Sequence, residues 1–371
     1  MDKKIAIVTM WANPNYGSTL QAYALQKVIR KWGYESEFIN FCPEKRSPSY
    51  RLSRLLKDVI ILGCRPKVHL QRRRIRKFIS SHFFVSPPYY TYKDLCDKAD
   101  ERYSAAICGS DQIWSNAGGY INPFYYLTFI SKDKRISYAP SIGYNHVSDD
   151  ILPKFIEYVS DIRFLSIREK QGAEIIKQHT RRDAEVVLDP TLLLSKEEWE
   201  KEMKQMGNIS GFENYIFCYL LGKNQAPIQY ACQLSQFTGY PIVGVETKFS
   251  QIKTREIKRI VVGPFDWLRL IRNASYVLTD SLHGTLFSII FRKQFGVFKR
   301  FRDDDPICQN SRIYNILDIT GLQSRLITYE APPGTFFEER IDYDKVQLLL
   351  DLERHKSLMF LERAISAVHA S

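Results

Sequence analysis

Short apolar runs of strand character alternate with stretches of helical periodicity along nearly the whole chain, and this alternation constrains the fold more than any other feature. In the first half the predicted strands are Lys4 to Thr9, Glu35 to Phe41, Ala105 to Cys108, Arg135 to Ala139, Phe164 to Ile167 and Glu185 to Leu188. Helices fit between them over Thr19 to Trp32, Asp149 to Asp161 and Glu169 to His179. The second half repeats the architecture without a sequence repeat. Its strands are Tyr215 to Leu220, Pro241 to Val245, Arg259 to Val262, Tyr276 to Thr279 and Phe295 to Phe298, and its helices Pro227 to Thr238, Pro264 to Asn273, Gly284 to Arg292 and Ser311 to Thr320. A long helical stretch, Tyr343 to Val368, closes the chain. The expectation is an α/β protein with two doubly wound Rossmann-like domains and a C-terminal helix. Residues 1–189 form an N-terminal domain with a basic helical insertion at 45–80, residues 190–330 a C-terminal domain, and 331–371 a helical segment. Such folds bind ligands in the crevice at the carboxyl ends of their strands, so the loops after strands are the place to look for chemistry.

Composition narrows the classes. A chain of 371 residues with 44% hydrophobic and 25% charged residues is globular. Its longest uncharged apolar runs, such as Val59 to Cys64 and Tyr215 to Gly222, fall far short of the ~20 residues that cross a bilayer. The start enters a strand directly and has no apolar leader, which predicts a cytoplasmic protein. Seven scattered cysteines, never in a Cys-x-x-Cys pair, read as reduced thiols, with no metal site and no cofactor expected. The net charge of +12 is concentrated: between Lys45 and Lys77 stand twelve basic residues and one acid, Asp58. Leu52, Leu55, Leu56, Val59 and Ile60, then Ile75, Phe78 and Ile79, give that segment roughly helical apolar spacing. Such a helix suits a solvated face, an anionic membrane or glycan, or nucleic acid. No zinc-finger or RNP motif accompanies it, so nucleic acid is not expected as a partner. The charge reads as an appendage that holds the chain at the inner membrane face.

Four loops carry candidate chemistry. After the first strand, Asn13, Asn15 and Ser18 can cap or bond locally, Pro14 and Gly17 fix a turn, and a helix N-terminus offers N–H groups to an anion or a sugar hydroxyl; a well-capped structural turn explains the same residues. The second loop places Asp111, Gln112, Trp114 and Asn116 within six residues. Carboxylate and amide groups take sugar hydroxyls while indole covers a pyranose face, although Asp111 and Asn116 also form turns. Arg168 ends a strand and fits either a phosphate or carboxylate ligand or an ion pair with Glu169 or Asp189. The fourth loop, Thr279-Asp280-Ser281-Leu282-His283-Gly284-Thr285, sets a histidine between a buried strand and a helix, where backbone N–H groups and substrate meet. His283 is the leading candidate for proton transfer.

Taken together, these loops resemble the polysaccharide pyruvyl transferase family. The resemblance rests on Asn-Tyr-Gly-Ser-Thr-Leu-Gln-Ala-Tyr-Ala-Leu-Gln (15 to 26), Cys-Gly-Ser-Asp-Gln-Ile-Trp (108 to 114), Ser-Ile-Arg-Glu (166 to 169), Leu-Asp-Pro-Thr (188 to 191) and Thr-Asp-Ser-Leu-His-Gly (279 to 284). It implies a GT-B-like fold with a donor-binding C-terminal domain. The implied reaction takes phosphoenolpyruvate as donor substrate and gives a pyruvate ketal on a sugar of a cell-surface polysaccharide, a capsule or exopolysaccharide or its lipid-linked precursor. By this resemblance His283 is the acid. Arg168, with Ser281, Leu282, Gly284 and Thr285, binds the donor, and Asn13, Asn15, Gly17, Asp111, Gln112 and Trp114 are assigned to the saccharide acceptor. Members of the family can carry arginine two residues before the histidine, where this chain has Ser281; Lys299, Arg300 and Arg312 are the candidate replacements. Two alternatives stand beside this reading: a glycosyltransferase that uses a nucleotide sugar, and a non-catalytic membrane- or polyanion-binding module.

Overall fold

A computed structural model describes residues 4–43, 63–115, 119–204, 213–247, 255–305, 308–330 and 332–369. Two five-stranded parallel sheets organise it. The first contains β1 (Lys4–Val8), β2 (Ser36–Phe41), β3 (Val85–Tyr89), β4 (Tyr103–Cys108) and β5 (Arg135–Ser137), in the order β3-β2-β1-β4-β5. A two-stranded ribbon, β6 (Ser166–Ile167) with β7 (Glu185–Val186), joins its β5 edge through the bridge between Ile136 and Phe164. The second sheet contains β8 (Ile216–Tyr219), β9 (Ile242–Val245), β10 (Ile257–Ile260), β11 (Tyr276–Thr279) and β12 (Gln294–Val297), in the order β10-β9-β8-β11-β12. Both orders run outward from a central strand and then restart on its other side, which leaves a crevice between β1 and β4 and another between β8 and β11. Ile5 to Val8 and Ala105 to Cys108 are buried throughout, as continuous apolar runs in doubly covered parallel strands require.

The helices are α1 (Tyr16–Lys31), α2 (Pro66–His82), α3 (Tyr92–Arg102), α4 (Leu152–Ser160), α5 (Lys170–Thr180), α6 (Lys196–Lys204), α7 (Ala226–Thr238), α8 (Pro264–Asn273), α9 (Leu282–Ile290), α10 (Ser311–Thr320), α11 (Pro333–Glu338) and α12 (Tyr343–His369). Sequence reading missed β3, α3 and α6. Strand β3 contains Pro87 and Pro88, which argue against a strand, yet it lies at the sheet edge, where a missing N–H costs no ladder bond. The start of α1 lies at Tyr16 because Asn15 caps it, accepting the N–H groups of Gly17 and Ser18 at 2.9 and 3.3 Å. Helix α9 likewise starts before Gly284, at Leu282, with Ser281 as its cap.

One apolar cluster joins the two halves. Tyr16 of α1 stacks on Trp267 of α8 with ring centroids 5.4 Å apart and donates its hydroxyl to the Val262 carbonyl. The closing helix α12 reaches back to the first half: Ser357 accepts the Leu188 N–H at 2.9 Å, and Arg354 donates to the Leu192 carbonyl.

The basic segment differs from expectation. Val68, Ile75, Phe78 and Ile79 of α2 are buried, with the Phe78 ring 5.7 Å from Tyr23 of α1 and 4.8 Å from Phe265 of α8. Arg74 donates to the Val261 carbonyl. This part of the segment is a strut between the halves and not an appendage; its apolar stripe was sufficient to bury one face. Arg73, Arg76 and Lys77 remain exposed on the other. The stretch 45–62 of the same expectation lies outside the described residues, as does Asn116. Among the described residues no helix is long and apolar enough to cross a membrane.

Candidate active site

A cavity of about 500 Å³ opens where the carboxyl ends of the two sheets face each other. The loop after β1 brings Asn13 and Asn15 to it, the loop after β4 Asp111 and Gln112, β11 and the first turn of α9 Asp280 to His283, and the chain after β12 Arg300, Gln309 and Arg312.

His283 is held from two sides. It is the second residue of α9, and its ring lies against Gly17, where a β-carbon would fall 2.2 Å from Nδ1. Its Nε2 is buried without a hydrogen-bond partner and stands 3.6 Å from Asp189 Oδ2, an ion-pair approach longer than a hydrogen bond. Asp189 is itself buried. Its Oδ1 accepts the N–H and hydroxyl of Thr191 at 3.0 and 2.8 Å, and its Oδ2 accepts Arg168 Nη1 at 2.8 Å. Burial opposes the charge of Asp189, but His283, Arg168 and the Thr191 N–H outweigh it and hold the carboxyl well below the usual range.

Two arginines also line the cavity. Arg300 donates to the Asp280 carbonyl at 2.8 Å and approaches Asp280 Oδ1 at 3.4 Å, while its Nε is buried without a partner. Asp280 also accepts the N–H groups of Leu221 and Gly222, at 2.8 and 2.6 Å, and so ties the loop after β8 to the arginine. Arg312, half-buried, bonds Gln309 through Nε and Nη2 at 3.3 and 2.9 Å. Its guanidinium is pushed down to about 10, by burial first and then by repulsion from Arg168 and Arg300. Arg300 and Arg312 present two guanidiniums to the cavity, groups that suit an anion. Across the cavity, Ser18 donates to Asp111 Oδ2 at 2.5 Å, and Gln112 Nε2 is buried without a partner.

The family model for polysaccharide pyruvyl transferase matches residues 15–300, a span that carries Asn15, Asp111, Asp189, His283 and Arg300. The chain belongs to the polysaccharide pyruvyl transferase family. It is therefore a transferase. No curated protein matches the transferase in sequence. Among solved structures, UDP-N-acetylglucosamine 2-epimerase from Rickettsia bellii is 10% identical with a TM-score of 0.51, covering 99% of this chain and 97% of that one. The UDP-GlcNAc 2-epimerase of Neisseria meningitidis is 7% identical at TM-score 0.51, with 96% and 94% covered. AviGT4, a glycosyltransferase of avilamycin A biosynthesis, is 12% identical at TM-score 0.51, with 100% and 99% covered. At such identities the likeness is one of fold, and it makes this transferase GT-B-like.

Within this transferase the structure brings Asn13, Asn15, Asp111, Gln112, Ser281, Leu282 and His283 to one cavity. Other expected residues stand behind its wall. Gly17 makes room for the His283 ring. Gly284 lets α9 approach β11, since a β-carbon there would lie 2.3 Å from Thr279 Oγ1. Thr285 donates back to the Ser281 carbonyl at 3.1 Å. Arg168 is buried and engaged by Glu169 and Asp189 at 3.1 and 2.8 Å, the ion-pair arrangement, and only its Nη2 is left without a partner. Trp114 requires correction: it is 2% exposed, its indole N–H bonds the Tyr125 carbonyl, and it stacks on Tyr126 at 5.1 Å, so no face is left to cover a sugar. Its ring size and apolarity placed it in the core. Of the three candidate cations, Arg300 and Arg312 reach the cavity, whereas Lys299 pairs with Asp303 at 2.7 Å. Sequence reasoning missed Gln309 and Tyr144, which bond across the cavity at 3.3 Å, and the role of Asp189 beside His283. The Leu-Asp-Pro-Thr run was the available signal for Asp189.

Proposed function

We propose that this transferase moves the pyruvyl unit of phosphoenolpyruvate onto two hydroxyls of a sugar in a cell-surface polysaccharide or its lipid-linked precursor, releasing phosphate. The observation that carries the reading is one cavity lined both by an imidazole in the first turn of a helix and by Arg300 and Arg312. Arg300 and Arg312 bind the phosphate and carboxylate of the donor, aided by the N-terminus of α9. His283, protonated and steadied by Asp189, gives its proton to the methylene carbon and leaves an oxocarbenium centre at the adjacent carbon. One sugar hydroxyl adds there, and the neutral imidazole takes up its proton. The carbon–oxygen bond to phosphate then breaks, its electron pair leaving on the phosphate, whose charge the arginines offset. The second hydroxyl closes the ketal and loses its proton to the departing phosphate. Asn13, Asn15 and Gln112 supply amide groups for the acceptor hydroxyls.

In this reading residues 190–330 carry the donor contacts and residues 1–189 the acceptor contacts. The protein works in the cytoplasm, and the exposed cations of α2 lie against an anionic membrane that holds lipid-linked acceptors.

Phosphorus NMR tests the donor. Release of inorganic phosphate from phosphoenolpyruvate, with an acid-labile ketal formed on the acceptor and both lost in His283→Ala, supports the proposal. Consumption of a nucleotide sugar instead, with thermal stabilisation by a nucleoside diphosphate and none by phosphoenolpyruvate, assigns the chain to the glycosyltransferase alternative.

A further inference from the structure

The connector that leaves the first half at β7 carries the carboxylate nearest the candidate acid of the second half. Asp189 is 3% exposed, and each of its oxygens has a separate task. Oδ1 is spent locally on Thr191, which fixes the carboxylate plane. Oδ2 faces nitrogens of two side chains from different elements, Arg168 at the end of β6 at 2.8 Å and His283 in α9 at 3.6 Å. Arg168 has a second carboxylate in Glu169, at 3.1 Å, whereas His283 Nε2 has no other acceptor and is buried. A nitrogen in that position gains an N–H···O bond by a small closing movement when it carries a proton, and faces an unfavourable approach of two lone pairs when it does not.

We propose that Asp189 is a positioning residue for the transfer reaction: its Oδ2 holds the Nε2 edge of His283, keeps the proton to be delivered on Nδ1, and shares its charge with Arg168. The inference rests on the reading of His283 as the acid. The charged groups lining the cavity are Asp111, occupied by Ser18 and its own neighbour's N–H; Asp280, paired with Arg300; and Arg300 and Arg312; Glu169 is buried and paired with Arg168. Helix α1 meets the ring with Gly17, which is uncharged. Asp189 is thus the acid placed to favour the protonated ring, and Arg168 the cation that competes for it.

The test is a nitrogen-NMR titration of the full-length protein without donor or acceptor, the His283 resonance being assigned by its loss in His283→Gln. Asp189→Asn moves the His283 midpoint down by about one pH unit or more. Arg168→Met, which removes the competitor, moves it up. A packing role alone does not shift the midpoint in opposite directions in the two variants. With donor and acceptor present, the alkaline limb of kcat follows the same displacement in Asp189→Asn, which is about a tenfold loss above both midpoints, and KM for the donor changes little. An unmoved midpoint in folded Asp189→Asn overturns the proposal. Should that variant fail to fold, an unmoved or lowered midpoint in Arg168→Met does so instead. Midpoints that move as expected in a protein that never consumes phosphoenolpyruvate leave the Asp189 pairing standing and remove the donor assignment.

Discussion

Gly17 and His283 occupy one space: the first turn of α1 has no side chain at the point where the imidazole of α9 lies, and a β-carbon there would sit 2.2 Å from Nδ1. Gly17→Ala should therefore displace the ring toward the cavity. Alanine is the better helix former by up to ~1 kcal/mol, which offsets the strain. Thermal unfolding should stay within a few degrees of wild type while kcat falls about 100-fold, the share that a positioned acid supplies. Unchanged kcat in a folded Gly17→Ala protein would show that the ring's seat is irrelevant to turnover.

Arg300→Met and Arg312→Met should each raise KM for phosphoenolpyruvate about 10- to 100-fold, the value of a charge-assisted contact of about 1.5–3 kcal/mol. Lys299→Ala, whose ammonium is committed to exposed Asp303, should bind the donor as wild type does. Steady-state kinetics and donor-induced thermal shift measure both. Equal effects from all three would indicate general electrostatic attraction and no defined donor seat.

Gln112 and Trp114 separate acceptor binding from packing. Gln112→Ala should raise KM for the acceptor and leave that for the donor unchanged. Trp114→Phe should alter neither constant, and Trp114→Ala should cost about 3–5 kcal/mol of stability in urea titration, as a truncated core aromatic does.

The pairing of Asp189 has a pH signature in stability. Its folded-state carboxyl lies below the unfolded value of about 3.9, so its contribution is present above about pH 4 and is withdrawn as pH falls further. Asp189→Asn should be less stable than wild type at pH 7, by about 3 kcal/mol as for a broken buried pair. The gap should narrow below pH 4. Parallel curves from pH 7 to pH 3 would mean that the carboxylate charge contributes nothing to folding.

Helix α2 should separate into two faces. Neutralising exposed Arg73 and Lys77 with glutamine should weaken binding to anionic vesicles by about fivefold per charge, ~1 kcal/mol each, and leave stability and turnover of a soluble acceptor intact. Phe78→Ala, on the buried face against Tyr23 and Phe265, should destabilise the protein by about 3 kcal/mol. Vesicle binding that ignores the charge changes would make the exposed face an ordinary solvated one.

Much of this was readable along the chain because the deciding interactions are local. Continuous apolar runs specify doubly covered parallel strands, and the alternation with helical periods specifies the α/β class. Strand ends followed by Asn15, Asp111 or Ser281 announce loops and caps. The elements that were missed lack that local signature: β3 carries two prolines that only an edge position tolerates, and α3 and α6 are short and strongly charged.

The site divides along the same line. Sequence alone set the candidate loops at strand ends and His283 between a buried strand and a helix, because strand direction and capping depend on neighbours a few residues away. It could not tell Trp114 the core residue from Trp114 the sugar platform, since burial depends on what Tyr125 and Tyr126 do after the chain turns back. Nor could it join Gly17 to His283, or Asp189 to His283. Those relationships exist because two sheets with the same strand order face each other across one cavity. Contacts between residues hundreds of positions apart are set by packing, which tertiary structure alone decides.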